Sequence, residues 1–589
     1  MAERYLMLLE TEFKKSNAYK ATYLIDLLLD IENTVDVNKY EVNGFNYWPI
    51  IRFQLRSLQL QFRNVHLRGL FSQNLPIAEV DNKDSRQVLQ EITDFYERKA
   101  TPDKVKYDDG FISFYKSNKC NHGSANSSAL FLSLEKEHFQ TLGGRIFAPI
   151  LDSLMLQMPT KITTSKITIQ PTTDPKNWFI PARTVDLNTT GNSKHNISDT
   201  VWKPTTQVTF QRAMNIIENC QEIEHILANK YPDYSINTEK LFRQIDSLEK
   251  KTSAFTDILI DIKPDILFIT SFTGRPYAIW AAKRLGIKVV DVQHGGMNPY
   301  NPYCTNWSNI PRLGYDILPD WFWCWTDSSA NMINQKMGFQ RSVGSHSIRL
   351  PHEAITGGNP SYGFWLDPKL DTLEKLPKEL SLDFKRFHEL RKNKKVVLFA
   401  LSGAGSLLDE FVIRTIQACS DQCLWLFRFH QLDRNRESEL FEELRSTSSP
   451  DFIDLATLTP LPILLPNCDV VLTKNSSIAR EVIDFGLPSV LLSVDAAEAH
   501  SELVDDHTAQ VALDERTLLN ILSDIHVRTE HYQANNVFKK HEFARKRAFE
   551  TIGLSTAGSP NSTLVSLKRY QRNLLTWLQY VVKKIKNRF

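Results

Sequence analysis

Two stretches of this 589-residue chain alternate short apolar runs with amphipathic helices, at connections too short for anything but parallel sheets. In the first, residues 265–270 (Asp-Ile-Leu-Phe-Ile-Thr) read as a strand, 275–285 as a helix stopped by Gly286, and 288–292 as the next strand. A strand at 321–326, a helix at 328–337 and a short strand or turn at 343–346 continue it. In the second, a strand at 396–401 leads through a glycine-rich turn to a helix at 408–418. A strand at 424–429, a helix at 437–444, a strand at 452–455 and helices near 515–525 and 541–552 follow. Such units need right-handed crossovers. Two of them in a chain too long for one core predict an α/β fold of two Rossmann-like domains facing a cleft, with ligands at the carboxyl ends of the strands.

The flanks complete the expected organisation. Residues 1–110 read as a helical N-terminal region, and 111–346 as the first domain, opened by a strand at 128–133. Residues 159–205, rich in Thr, Pro, Asn and Lys, read as an insertion in it. Residues 347–392, with several Pro and Gly before a charge-rich run, read as a linker, 393–530 as the second domain, and 531–589 as C-terminal helices.

Composition removes several classes. A net charge of +2 gives no global field for nucleic acid. Seven cysteines without Cys-x-x-Cys spacing point to reduced thiols. The first residues carry acids too close to their apolar patch for a signal peptide, and no window approaches the ~18 apolar residues of a membrane span. The expectation is a cytoplasmic protein. Residues 568–589 are the exception in charge: seven Lys/Arg and no acid, with Leu574, Trp577, Leu578, Val581, Val582, Ile585 and Phe589 at helical spacing. Such a basic amphipathic helix either lies peripherally on an anionic membrane surface or packs its stripe on the body of the protein.

The chemistry concentrates in residues 468–493, which read as strand, hydroxyl-rich turn, one helix, Gly486-Leu487-Pro488 and a second strand. Ser476 and Ser477 fall at the expected helix N-cap, with Asn475 beside them, and a helix start offers unpaired N–H groups to a phosphate. Glu481, one turn on, can accept from ribose hydroxyls or simply face solvent. Gly403 and Gly405, in Ser-Gly-Ala-Gly-Ser after the first strand of the second unit, permit a tight turn with exposed amides. Arg428 and His430 end the next strand, where a cation or imidazole N–H suits a nucleotide phosphate. Together these form a candidate donor site.

In the first domain His294 ends the strand at 288–292 and is followed by Gly295-Gly296, which let another backbone come close. It is either a general base toward an acceptor hydroxyl or a histidine bonded to its own turn. Glu135, after the strand at 128–133, is the second candidate base. The sequence holds no Asp-x-Asp, His-x-x-x-His, Gly-x-Ser-x-Gly or Walker loop. The expectation is therefore chemistry without a metal or other cofactor, with phosphate charge met by helix ends and basic side chains.

On these motifs the chain resembles the GT-B glycosyltransferases that build bacterial capsule, lipopolysaccharide and teichoic-acid-like polymers, across about residues 120–530. The segment 469–492 looks like their strand–Ser-Ser–helix–Gly-x-Pro element. Arg428-Phe429-His430-Gln431 is similar to the His-Pro motif of sialyl- and Kdo-transferases, with Gln431 in place of proline, and Ser402–Ser406 stands where those enzymes carry an acidic motif. Gln293-His294-Gly295 looks like the His-Gly motif of CDP-alditol phosphotransferases, although Gly296-Met297-Asn298 departs from their usual continuation. The resemblance implies a nucleotide-sugar donor, CMP-Kdo-like or another pyrimidine nucleotide sugar, and a glycan or lipid-linked acceptor. A CDP-alditol polyol-phosphate transferase, a UDP-sugar epimerase of similar fold and a noncatalytic assembly protein are the alternatives.

Overall fold

The computed structural model describes residues 17–42, 45–55, 127–134, 137–138, 140–142, 145–169, 178, 180, 182–185, 207–232, 234–297, 301–311, 313–337, 351–369, 376, 378–391, 394–401, 408–429, 438–440, 444, 453–474, 476–527 and 534–554. Strands that are buried on both faces read as unbroken apolar runs. Ile266–Ile269 and Val470–Thr473, buried at every position, are such strands.

Among the described residues, seven strands form the N-lobe sheet: β1 Ser127–Leu134, β2 Ile162–Ile169, β3 Arg183–Val185, β4 Ile266–Ile269, β5 Lys288–Val292, β6 Trp321–Cys324 and β7 Glu353–Thr356. Their order is β7-β6-β5-β4-β1-β2-β3, parallel throughout. Five more, β8 Lys395–Ala400, β9 Cys423–Arg428, β10 Val470–Thr473, β11 Ser489–Leu491 and β12 Ala509–Val511, form the C-lobe sheet in the order β9-β8-β10-β11-β12, also parallel. These are the two doubly wound orders, and each reverses direction once. The reversal lies between β1 and β4 in the N-lobe and between β8 and β10 in the C-lobe. The molecule is thus the two-lobed α/β, GT-B-type architecture expected from the sequence.

Three local readings change. Residues 453–455 are not a strand but the start of the helix Ile453–Leu458, since Phe-Ile-Asp-Leu is too short for its periodicity to separate strand from helix. The segment read as an insertion contains β2, paired to β1 along its whole length. Its polar residues misled because Lys166, fully buried, is neutralised by an ion pair to Asp152 from the preceding helix, Leu151–Leu156. The segment read as a linker contributes β7 and the helices Pro360–Trp365 and Lys378–Arg391, while 343–346 lie outside the described residues.

The flanking regions are built into the lobes. Leu24, Leu27, Leu28 and Ile31 of the helix Asn17–Thr34 share one core with Leu130, Leu267 and Ile269 of the N-lobe sheet. Buried Arg52 pairs with Glu32 and donates to the carbonyls of Pro302, Thr305 and Asn306. At the other end, the helix Ala534–Thr551 places Val537 in a C-lobe core, and Ala548 and Phe549 against the opposite face of the N-lobe sheet. It bridges the lobes. The basic segment 568–589 lies outside the described residues, among which no helix is long and apolar enough to cross a membrane.

Candidate functional site

Both reversal points open onto one cavity of about 460 Å³. From the N-lobe, Glu137 comes from the loop after β1, Thr270 and Ser271 end β4, and His294 ends β5. From the C-lobe, Ala400 and Leu401 end β8, Arg428 ends β9, and Ser476, Ser477 and Glu481 follow β10. Asn359, Ser361 and Tyr362, from the crossing between lobes, close one side. Ligands of parallel sheets settle at such crevices because the strand ends diverge there and leave loops to line the gap.

His294 is held from behind. Buried Gln293 donates through Nε2 to the Gly295 carbonyl at 2.8 Å and accepts at Oε1 from the Trp325 amide at 2.8 Å. This bracket fixes the turn on either side of His294, whose exposed imidazole lies 2.9 Å (Nε2) from Ser271 Oγ. Ser271 adopts left-handed backbone at φ 51°. That is unusual for a residue with a side chain, and the next turn is pinned from beneath, where the Phe272 amide donates to Asp291 Oδ1 at 3.0 Å. Gly296 touches the other lobe: a Cβ there would sit 3.1 Å from Ser477 Cβ. A side chain here would have to push Ser477 back by a few tenths of an ångström.

Under the cavity floor lies a charge network. Arg275, fully buried, ion-pairs with Glu137 and donates to the Thr270 carbonyl. Glu137 also accepts from Thr270 Oγ1 at 2.6 Å and from the Leu134 amide at 3.0 Å. Burial pushes the Asp291 carboxyl up to about 8, against the opposing pull of Arg275 and the Phe272 amide. Asp291 therefore keeps its proton at neutral pH, and Arg275 is left to its ion pair with Glu137.

In the C-lobe, Arg428 Nη1 donates to the carbonyls of Ala456 and, at 2.8 Å, Thr459. Those carbonyls end the helix Ile453–Leu458, so the guanidinium caps it. Desolvation brings its pKa down to about 10, which leaves it charged at neutral pH. Burial raises Glu481 to about 6, although Tyr362 Oη at 3.2 Å, Arg428 and Ser477 Oγ at 3.4 Å favour the ionised form.

The expected helix from Ser476 is a single α-turn, Ile478–Glu481, continued by a 3-10 turn, Val482–Phe485, and stopped by left-handed Gly486. Ser477, at the N-cap position, has helical backbone and makes no side-chain cap; Ser476 Oγ accepts weakly from the Ile478 amide at 3.4 Å. A one-turn helix sums few peptide dipoles, so little anion binding can come from its end. The weight shifts to Arg428.

The structure thus brings His294, Arg428, Ser476, Ser477 and Glu481 to one cavity. Glu135, Gly403, Gly405, His430 and Asn475 lie outside the described residues. Sequence reading passed over Glu137, Ser271, Thr270 and Tyr362. Glu137 had a signal: an acid three positions past the last strand residue can fold back onto that residue's amide, as it does on Leu134. Among the described residues, no group of three or more His, Cys, Asp or Glu side chains is arranged to hold a metal ion.

No family model matches the sequence, and no curated protein does. Among solved structures the chain is similar to the UDP-GlcNAc 2-epimerase from Methanocaldococcus jannaschii, at 13% identity and a TM-score of 0.42 over 72% of this chain and 99% of that one. It is similar to the Neisseria meningitidis UDP-GlcNAc 2-epimerase bound to UDP-GlcNAc at 16% identity and a TM-score of 0.42, over 72% and 99%. The wall teichoic acid polymerase TagF matches at 11% identity and a TM-score of 0.34, over 78% of this chain and 89% of that one. At these values the two strand orders, not the likenesses, define the fold.

Proposed function

We propose that this chain is a GT-B glycosyltransferase that moves a sugar from a nucleotide-sugar donor to a growing surface polysaccharide or lipid-linked glycan without a metal ion. One observation carries the reading: the reversal points of both sheets line a single cavity of about 460 Å³, with a half-buried arginine on one wall and an imidazole on the other. That volume is typical of a small-molecule site. The C-lobe would hold the nucleotide, with Arg428 on the phosphates, the Ser476 and Ser477 hydroxyls as donors and Glu481 accepting from ribose. Gly403, Gly405, His430 and Asn475 belong to the same donor site by sequence position. The acceptor approaches from the N-lobe.

In an inverting reaction the acceptor oxygen attacks the anomeric carbon as the bond from that carbon to the phosphate oxygen breaks. The nucleotide leaves with the electron pair, and His294 takes the acceptor proton. Arg428 meets the charge that develops on the leaving phosphate. The basic segment 568–589 would keep the enzyme against an anionic membrane on its cytoplasmic side, near a lipid-linked acceptor.

Calorimetry with CMP, CDP, UDP and GDP tests the donor site first. One nucleotide should bind, and Arg428→Met should weaken it. His294→Asn should keep that affinity and lose transfer. A sugar increment in product mass supports the reading. A phosphate-bearing increment would replace it with polyol-phosphate transfer, an isomerised nucleotide sugar without acceptor with epimerisation, and no nucleotide binding would end it.

A further inference from the structure

Glu137 is the only carboxylate that the N-lobe presents to the cavity among the described residues, and its surroundings restrict what it can do. A carboxylate offers about four acceptor sites. Three are taken. Oε1 receives Thr270 Oγ1 and Arg275 Nη2, and Oε2 receives the Leu134 amide. One site remains, on Oε2, and a fifth of the side chain is exposed.

A carboxylate bound to a fully buried arginine is ill suited to taking a proton, because protonation would strand the arginine's charge. It is also neutralised as a pair. It therefore neither attracts a cation strongly nor repels the phosphates of a ligand in the same cavity. What it offers is one fixed acceptor for a neutral donor group. The hydroxyls of a sugar are such donors, and Glu137 lines the cavity from the lobe opposite to the one that carries Arg428, where a sugar attached to a nucleotide would reach.

We propose that Glu137 is a specificity-determining residue that accepts a hydrogen bond from a hydroxyl of the nucleotide-linked sugar, leaving proton transfer to His294. This rests on the nucleotide-sugar reading above. A site built to accept from a hydroxyl rejects the analogue that lacks it, because the acceptor is then left unpaired.

Glu137→Gln is the first variant. If its amide oxygen keeps Thr270 and Arg275, the amide nitrogen replaces Oε2, gives up the Leu134 amide and presents a donor where the ligand needs an acceptor. Calorimetry on the intact chain compares UDP, CDP, CMP and GDP with UDP-glucose, UDP-N-acetylglucosamine, CMP-sialic acid and GDP-mannose. The expected result is a nucleotide whose affinity is the same in wild type and E137Q, while the extra affinity of its sugar conjugate falls about ten- to hundred-fold, as for a hydrogen bond to a charged group. Monodeoxy analogues of the conjugate that binds give a second measurement on the unaltered protein. One of them should bind wild type as weakly as E137Q binds the parent, and should lose nothing further in E137Q. An unchanged conjugate-to-nucleotide ratio in E137Q, or deoxy analogues that all bind like the parent, would overturn the assignment and leave the donor site standing. Absence of binding by every nucleotide and conjugate would overturn both.

Discussion

Replacing Asp291 with asparagine should remove a large alkaline loss of stability while changing little in acid. The carboxyl is fully buried, and its pKa moves from an ordinary 3.8 to about 8. A group raised in this way keeps its proton in the folded protein after the unfolded chain has released it. Its contribution is therefore complete below about pH 4 and is lost as pH climbs toward 8. At about 1.36 kcal/mol per unit the loss sums to about 6 kcal/mol. Asparagine mimics the protonated acid: its Oδ1 can still accept from the Phe272 amide, as Asp291 Oδ1 does at 3.0 Å, and it has nothing to titrate. Urea unfolding followed by tryptophan fluorescence, repeated from pH 5 to pH 8, should show D291N gaining on wild type with each step. At an m-value of about 3 kcal/mol/M the midpoints should separate by more than 1 M by pH 8. Parallel midpoints across the range, or a variant that loses ground as pH rises, would mean that Asp291 is ionised in the native network and that Arg275 serves two anions.

The remaining expectations concern the cavity walls and the N-terminal region. Gly296→Val should press on Ser477, whose Cβ would lie 3.1 Å from any side chain at 296. Lobe displacement of this kind lowers turnover by about tenfold or more; wild-type rates in the variant would argue against close interlobe contact. Glu481, raised to about 6 by burial, is ionised above that pH, where it accepts most strongly from ribose hydroxyls. Nucleotide affinity should fall as pH drops through 6, and E481Q should flatten that profile in calorimetric titrations. Arg52→Met leaves Glu32 buried with no cation beside it, at a cost of about 3–5 kcal/mol. The variant should unfold at correspondingly lower denaturant, whereas changing Arg52 and Glu32 together to apolar residues should recover much of the loss.

What the sequence disclosed and what it hid have a common physical origin. Central parallel strands are covered on both faces, so β4, β5, β8 and β10 announce themselves as apolar runs between turn formers. The edge strand β7, Glu-Ala-Ile-Thr, has no such run and was absorbed into a linker. β2 carries a lysine that only an aspartate from the preceding helix makes tolerable, and the pairing of Lys166 with Asp152 cannot be read from spacing. The cavity shows the same division. His294, Arg428 and the two serines stand directly at strand ends, where periodicity ends and chemistry begins. Glu137 enters by a loop that turns back on its own strand, and Tyr362 arrives from the crossing between lobes. Both depend on tertiary placement rather than on local pattern.

That crossing also determines how rigid the cavity is. The helix Ala534–Thr551 is anchored in both lobes, and His541 sits between its two anchors. His541 Nδ1 accepts from the Asn359 amide at 3.0 Å, and its Nε2 donates to Asp484 Oδ2 at 3.0 Å. Asn359 lines the cavity, and Asp484 closes the turn that follows Glu481. His541, itself outside the cavity, therefore links one wall to the other. Its ring also packs edge-on to Tyr362, with centroids 5.0 Å apart. His541→Leu keeps the packing volume roughly but strands the buried Asn359 amide, at about 1–3 kcal/mol, and leaves the Asp484 carboxylate with Lys540 alone. The loss should appear twice: as lower stability in denaturant, and as weaker nucleotide binding from a residue that touches no nucleotide. If stability falls while affinity is untouched, the helix serves only to hold the lobes together, and the shape of the cavity is set within each lobe by itself.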